Sequence, residues 1–247
     1  MCFHNSMSAD AMSLKKRFSA ELVEPENFQP IFHENAFQHR PRPVITGDNP
    51  KLIQNFVWGL IPSWTKTEVS AKEIQEYTPN AKSETVFEKP SFRGVIKSKR
   101  CLVPSTGFFE WQEYKGKKYP YFIFLKDQEI FSLAGIWDSW KNPVSGEIVN
   151  SFSILTTDAN PLMARIHNSK KRMPLILPKE GEGAWIDPEL KEEKDIRELF
   201  QIFPEEKMDA YTISKLITSR KYNSNVREVT TKFPYPELNE DELFFGL

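Results

Sequence analysis

Apolar residues recur at helical spacing over residues 8–24, where Met12, Leu14, Phe18 and Leu22 roughly share one face and Ser8 stands ready as a cap. Residues 25–43 carry Pro25, Pro30, Pro41 and Pro43 and are expected to be irregular. A series of short strand-like runs follows: Pro43–Thr46, Leu52–Leu60, Arg100–Val103, Phe108–Tyr114, Tyr121–Leu125, Ile130–Trp137, Phe152–Thr157 and Met173–Leu177. Turn signals such as Lys115-Gly116 and Asn142-Pro143 separate them. A helical turn is expected around Asn160–Ile166 and a helix over 187–203, with Ile196, Leu199 and Phe200 on its apolar side. From Phe233 the chain is acidic, and it ends in Leu243-Phe244-Phe245-Gly246-Leu247, a docked apolar end or a frayed tail. Many short strands with few helices and no linker predict an α+β fold: one domain over 1–247, built on a curved, barrel-like antiparallel sheet with peripheral helices, its tail from about 233 loosely packed.

Composition narrows the function classes. With 39% hydrophobic and 27% charged residues in 247, the chain can bury a full core without staples. Most of its 19 Phe and 6 Trp belong in that core, with a few left as platforms for flat ligands such as bases. A formal net charge of -1 argues against a duplex-wrapping protein, so contact with nucleic acid must come from a local basic patch. The candidates are Lys15-Lys16-Arg17, Arg40 with Arg42, Lys97 to Arg100 and Lys170-Lys171-Arg172, each of which taken alone is more often a solvated face. The two cysteines, Cys2 and Cys101, form neither a disulfide framework nor zinc spacing, so no metal and no cofactor is expected. No apolar run is long enough to span a bilayer and no secretory signal is visible, which gives a cytoplasmic expectation in which a free thiol persists.

Four stretches could carry chemistry. Loss of Met1 is favoured before a small residue and would leave Cys2 with a free α-amine and a thiol. The amine titrates near 8 and the thiol near 8.5, so a useful fraction of the amine is nucleophilic at neutral pH. Such a pair traps aldehydes: the amine forms an imine and the thiol closes a five-membered thiazolidine. In Gly107-Phe108-Phe109-Glu110-Trp111 a carboxyl sits among aromatics, where burial would raise its pKa and suit it to proton transfer, although a solvent-facing strand Glu is common. His167, within Arg165-Ile166-His167-Asn168-Ser169-Lys170-Lys171-Arg172, is as readily structural as it is an acid/base or phosphate donor. Asn80, in Asn80-Ala81-Lys82-Ser83-Glu84-Thr85 before Ser91-Phe92-Arg93, offers a donor and an acceptor.

Taken in order, these pieces resemble the SOS-response-associated peptidase (SRAP) family. The resemblance runs through Met1-Cys2, Trp58-Gly59-Leu60-Ile61-Pro62-Ser63-Trp64, Asn80-Ala81-Lys82-Ser83-Glu84-Thr85, Ser91-Phe92-Arg93 and Arg100-Cys101-Leu102-Val103-Pro104. It continues through Gly107-Phe108-Phe109-Glu110-Trp111, Ala134-Gly135-Ile136-Trp137, Thr156-Thr157-Asp158-Ala159-Asn160, and Ile166-His167 with Arg172-Met173-Pro174. It implies a protein that senses abasic sites in single-stranded DNA and crosslinks to them through Cys2 as a thiazolidine, protecting the site during the damage response. It also implies that Met1 leaves by self-cleavage or through an aminopeptidase. On the matching positions, Cys2 is the nucleophile, Glu110 shuttles protons, His167 assists proton transfer and Asn80 orients the N-terminal residue. Lys82, Arg93, Lys171 and Arg172 are the candidates for phosphate contacts, and Trp64 and Phe92 for stacking on or wedging between bases. A monomer acting on single-stranded DNA, associated with the nucleoid when bound, is the expected working state.

The chain departs from the family's common pattern in three places. The start is Cys2-Phe3-His4 where Cys-Gly-Arg is common, Asn80-Ala81-Lys82 stands for Asn-Ala-Arg, and Phe32-His33-Glu34-Asn35-Ala36-Phe37 replaces a Tyr-Asn-hydrophobic-Ala-Pro stretch. Lys keeps the charge at position 82 but lacks the guanidinium fork. Two further readings stand beside the first: a cysteine peptidase acting on other proteins through Cys2 and His167, and a non-catalytic single-stranded DNA-binding module.

Overall fold

The computed structural model describes residues 2–219 and 221–239. The strands are β1 (His4–Met7), β2 (Glu21–Leu22), β3 (Ile31–Asn35), β4 (Pro41–Thr46), β5 (Leu52–Trp58), β6 (Asn80–Lys82) and β7 (Arg100–Ser105). They continue with β8 (Gly107–Tyr114), β9 (Lys117–Leu125), β10 (Phe131–Lys141), β11 (Ile148–Asp158), β12 (Arg172–Pro174), β13 (Ile176–Leu177) and β14 (Met208–Thr212). The helices are α1 (Ala11–Phe18), α2 (Glu68–Tyr77), α3 (Pro161–Ile166), α4 (Glu182–Ile186), α5 (Glu193–Glu198) and α6 (Pro236–Asn239).

Strand pairing closes a ring. β11 pairs with β10, β10 with β7, β7 with β4 and β4 with β5, all antiparallel, and β5 returns to β11 in parallel. Closure satisfies the edge groups that an open sheet would expose. A second, fully antiparallel sheet runs β14-β9-β8-β1-β3. The α+β class and barrel-like sheet expected from the sequence are therefore present. The sheet is mixed rather than purely antiparallel, because β11 pairs in parallel with both β5 and β6, and β2 with β5.

Alternation along the barrel strands builds two cores. From β7 and β10, Leu102, Ala134 and Ile136 join Leu14, Trp185 and Ile196 beneath the helices. The intervening Cys101, Val103, Phe131 and Leu133 join Phe108, Ile123 and Cys2 against the second sheet. Gly135 pairs with Cys101 on the neighbouring β7, where a Cβ would lie 2.7 Å from Cys101 Sγ.

Several local expectations shift, each for a physical reason. The first helix is shorter than 8–24 and is capped by Asp10, whose Oδ1 accepts from Ser13 N at 2.7 Å. Ser8 is instead held by Thr106, and Met12 is exposed. Residues 25–43 are not irregular throughout, since β3 forms there by pairing with β1. Of the helix expected over 187–203 only α5 forms. Pro188 supplies no N–H, so α4 stops before it and α5 starts after it. Lys115 and Gly116 take positive φ of 47° and 72°, the geometry that turns β8 tightly into β9. The Leu243–Leu247 run lies outside the described residues.

Candidate active site

β1 sits between β3 and β8, so the residues that follow Cys2 and Phe3 are held on both sides by backbone ladders. Just before it, Phe3 O accepts from Ala36 N at 2.8 Å. Cys2 is fully buried, and its thiol points to His4 O at 3.6 Å. Beneath β1, Arg42 donates to Asn5 Oδ1 at 2.9 Å and to Glu34 Oε2 at 3.3 Å, while Asn5 Nδ2 donates to Ser105 Oγ at 3.1 Å. Removing one member of such a buried charge pair leaves the other uncompensated and is strongly destabilising.

Glu110 lies on β8 two residues after Phe108, and alternation sends both side chains to the face that packs on Cys2. Burial pushes the Glu110 carboxyl up to about 8. His167 ends α3, a helix capped by Asn160 Oδ1 on Met163 N at 2.9 Å. Its Nδ1 lies 2.9 Å from Arg172 O. A carbonyl only accepts, so Nδ1 carries the proton and Nε2 presents a lone pair 3.7 Å from Glu110 Oε2. Burial lowers the His167 imidazole to about 4. Burial, together with the nearby Glu110 carboxyl, raises the Cys2 thiol well above the ordinary range, and Arg42 partly opposes that rise. At neutral pH the centre is a thiol, a carboxylic acid and a neutral imidazole, a set able to pass a proton in either direction.

Glu110 and His167 border a cavity of about 800 Å³ whose lining also includes Phe3, His4 and Trp111 together with Lys82, Lys118, Lys170, Arg172 and Lys215, whereas Cys2, fully buried, is not in that lining. Asn80 does not line it directly. It is two residues before Lys82 on β6, so its side chain leaves the strand on the same side, and it is buried. Neither its Oδ1 nor its Nδ2 has a hydrogen-bond partner among the described residues. A buried amide left unpaired costs about 1–3 kcal/mol.

The remaining candidates are distributed unevenly. Arg172 lines the cavity, but its guanidinium is engaged by Glu84, by Asp158 Oδ1 at 3.0 Å and by Thr156 O at 2.7 Å. Lys171, exposed at φ 51°, stands beside the cavity rather than in its lining. Trp64 and Arg93 border a different cavity of about 610 Å³ that also takes in Lys99 and Asp138. Phe92 is packed in the helix-covered core and offers no ring face to a base. Lys118 and Lys215 were missed because nothing near them in sequence marks a site; only the folding of β9 and the residues after β14 brings them together. Among the described residues no cluster of His, Cys, Asp and Glu is suited to hold a metal, and no helix is long and apolar enough to cross a membrane.

Comparison with known proteins gives this arrangement a context. A structure of a protein from Bacteroides thetaiotaomicron superposes with a TM-score of 0.88 at 42% identity, covering 94% of this chain and all of that one. The abasic site processing protein YoqW of Bacillus subtilis is 34% identical over 227 residues, covering 91% of this chain and 97% of its own length. The abasic site processing protein HMCES of Gallus gallus is 36% identical over 159 residues, covering 56% of this chain and 46% of its own. The family model described as SOS response associated peptidase matches residues 1–220, and the chain belongs to that family.

Proposed function

We propose that the chain captures abasic sites in single-stranded DNA as a covalent thiazolidine on Cys2, once Met1 has been removed by self-cleavage or by an aminopeptidase. The opened deoxyribose presents an aldehyde. The α-amine of Cys2 adds to it, the carbinolamine loses one water to give an imine, and the thiol adds to the imine carbon while its proton passes to nitrogen. Atoms balance with the net loss of a single water. Glu110, held as an acid near neutral pH, protonates the departing hydroxyl and as carboxylate takes the proton back in the reverse direction. His167 presents its lone pair to Glu110 and exchanges that proton. Asn80, with an unpaired buried amide, orients the amine or the opened sugar.

The observation that carries this reading is the contact of the Glu110 carboxyl with His167 Nε2 at 3.7 Å on the face that buries Cys2. The names of the relatives, abasic site processing proteins, point to the same substrate. Lys82, Lys118, Lys170 and Lys215 supply the phosphate contacts in a chain of net charge -1. Trp64 and Arg93 serve a flanking nucleotide at the other cavity. Single-stranded substrate avoids the cost of extruding a nucleotide from a duplex.

Intact-mass spectrometry before and after incubation with an abasic single-stranded oligonucleotide tests the reading. Loss of Met1, then a gain equal to the oligonucleotide minus one water, is expected, and Cys2→Ala removes the adduct. A denaturation-resistant adduct that persists in Cys2→Ala sinks it.

A further inference from the structure

His4 lines the same cavity and is joined away from it to a second imidazole. His4 Nδ1 lies 2.8 Å from His33 Nε2, and His33 Nδ1 lies 2.7 Å from Ser224 Oγ. The His4 and His33 rings lie nearly parallel, 7° apart with centroids at 5.1 Å, Trp111 stands edge-on to His4 at 4.7 Å, and Phe109 stands edge-on to His33 at 5.3 Å. The far end is built as carefully as the near one. Asn225 Oδ1 accepts from both Phe32 N and His33 N, at 2.8 and 3.2 Å, and this clamps the half-buried Ser224 onto β3. His4 Nε2 has no hydrogen-bond partner among the described residues, which leaves that nitrogen to the cavity.

We propose that His4, His33 and Ser224 form a proton wire that carries a proton between the region of the Cys2 amine, beside the cavity that His4 lines, and solvent, separate from the Glu110–His167 pair. The inference rests on the condensation reading above. An α-amine has a reference value near 8, so the fraction of it that is ammonium at neutral pH must shed one proton before it attacks. Glu110 is already protonated there, and His167 faces Glu110. The ammonium proton goes to His4 Nε2, directly or through one water. His4 passes its Nδ1 proton to His33 Nε2, His33 passes its Nδ1 proton to Ser224 Oγ, and Ser224 releases its own to water. Both imidazoles finish neutral with their tautomers exchanged, and the same atom pairs stay hydrogen-bonded along the wire with donor and acceptor reversed. The wire therefore has two settings of opposite hydrogen-bond direction. When the adduct reverses and the amine is reprotonated, the sequence runs backwards and restores the first. Burial keeps both rings neutral, His4 at about 4 and His33 at about 3, which suits transfer without an imidazolium intermediate.

Rates of adduct formation by the Met1-free protein with an abasic single-stranded oligonucleotide decide the matter. His33 does not line the cavity, so a rate effect there cannot come from a lost substrate contact. His33→Phe and Ser224→Val are each expected to slow formation about tenfold, below the hundredfold or more that follows loss of a full general acid or base. The final yield stays unchanged. His33→Ala is expected to regain rate when imidazole is added to the buffer, a rescue that a packing role would not produce. Where a His33 variant does not fold, Ser224→Val at the half-exposed end reads the same wire. Parental rates in folded His33 and Ser224 variants, or no imidazole rescue, overturn the wire while leaving the condensation intact. No adduct from the parental protein overturns the condensation, and the wire with it.

Discussion

At the scale of single residues, burial rather than charge pairing sets the chemistry. Glu110 is raised to about 8 by burial, so the folded chain holds a proton there that the unfolded chain gives up near pH 4.3. The folded state binds more protons across that window, and stability falls as pH rises through it. Glu110→Gln keeps the shape and removes the titration. It is expected to raise Tm at pH 8–9 by a few degrees, at about 2–4 °C per kcal/mol for a chain of this size, and to change it little at pH 4. The same variant slows both formation and reversal of the adduct; a pH-independent Tm difference, or unchanged reversal, contradicts the assignment. The histidines act with the opposite sign. His4, His33 and His167 lie below their ordinary value, so their contribution is complete above about pH 6.5 and is lost on acidification toward 4. Asn80 permits a second test. Its amide is buried without a partner, so Asn80→Leu removes an unpaired polar group and is expected to leave Tm unchanged or higher while slowing adduct formation. Thermal scans beside crosslinking rates check it, and a large fall in Tm would show that the amide has a structural partner.

At the scale of elements, the site depends on β1 and β8 keeping register, because β1 seats Cys2 and β8 carries Glu110. Gly107 opens β8 where no side chain fits: a Cβ would lie 2.3 Å from Phe122 Cζ and 2.8 Å from Ile123 O. Phe122 could swing aside, but Ile123 O belongs to the β9 backbone. Gly107→Ala is expected to cost about 1–3 kcal/mol and to reduce crosslinking through displacement of Glu110; chemical denaturation with activity measured on the folded fraction separates the two effects. What the sequence made legible follows the same division. Glu110 stood in a strongly patterned run, its hairpin turn was marked by Lys115-Gly116, and Asn160 sat at a recognisable helix start. β1, β3 and β6 were not legible, because each is short and polar and exists through a partner far along the chain. His33 therefore lay in a proline-marked stretch with no sign that it meets His4, and Arg42 passed for a surface cation although it is buried.

At the scale of the whole molecule, the formal charge of -1 conceals an uneven distribution. Lys82, Lys118, Lys170 and Lys215 come from four separate parts of the chain and converge on the cavity lined by Glu110 and His167, where the facing carboxyls are Glu110 and Glu113. Arg172 is already balanced by Glu84 and Asp158, so the lysines rather than the arginine are the groups available to phosphates. Neutralising a phosphate on a single strand releases condensed counterions and contributes a slope of about -0.7 to log affinity against log salt. Lys118→Ala and Lys215→Ala are each expected to weaken non-covalent binding of an abasic single strand and to flatten that slope by about this amount, with the Cys2→Ala background preventing capture. Trp64→Ala, at the other cavity, should lower affinity and leave the slope unchanged, because a stacked base releases no counterion. Fluorescence anisotropy across a salt series reads both quantities. A slope unchanged by both lysine substitutions would mean that the strand does not run through this cavity, whereas slope loss at the lysines without slope loss at Trp64 assigns phosphates to one cavity and a base to the other.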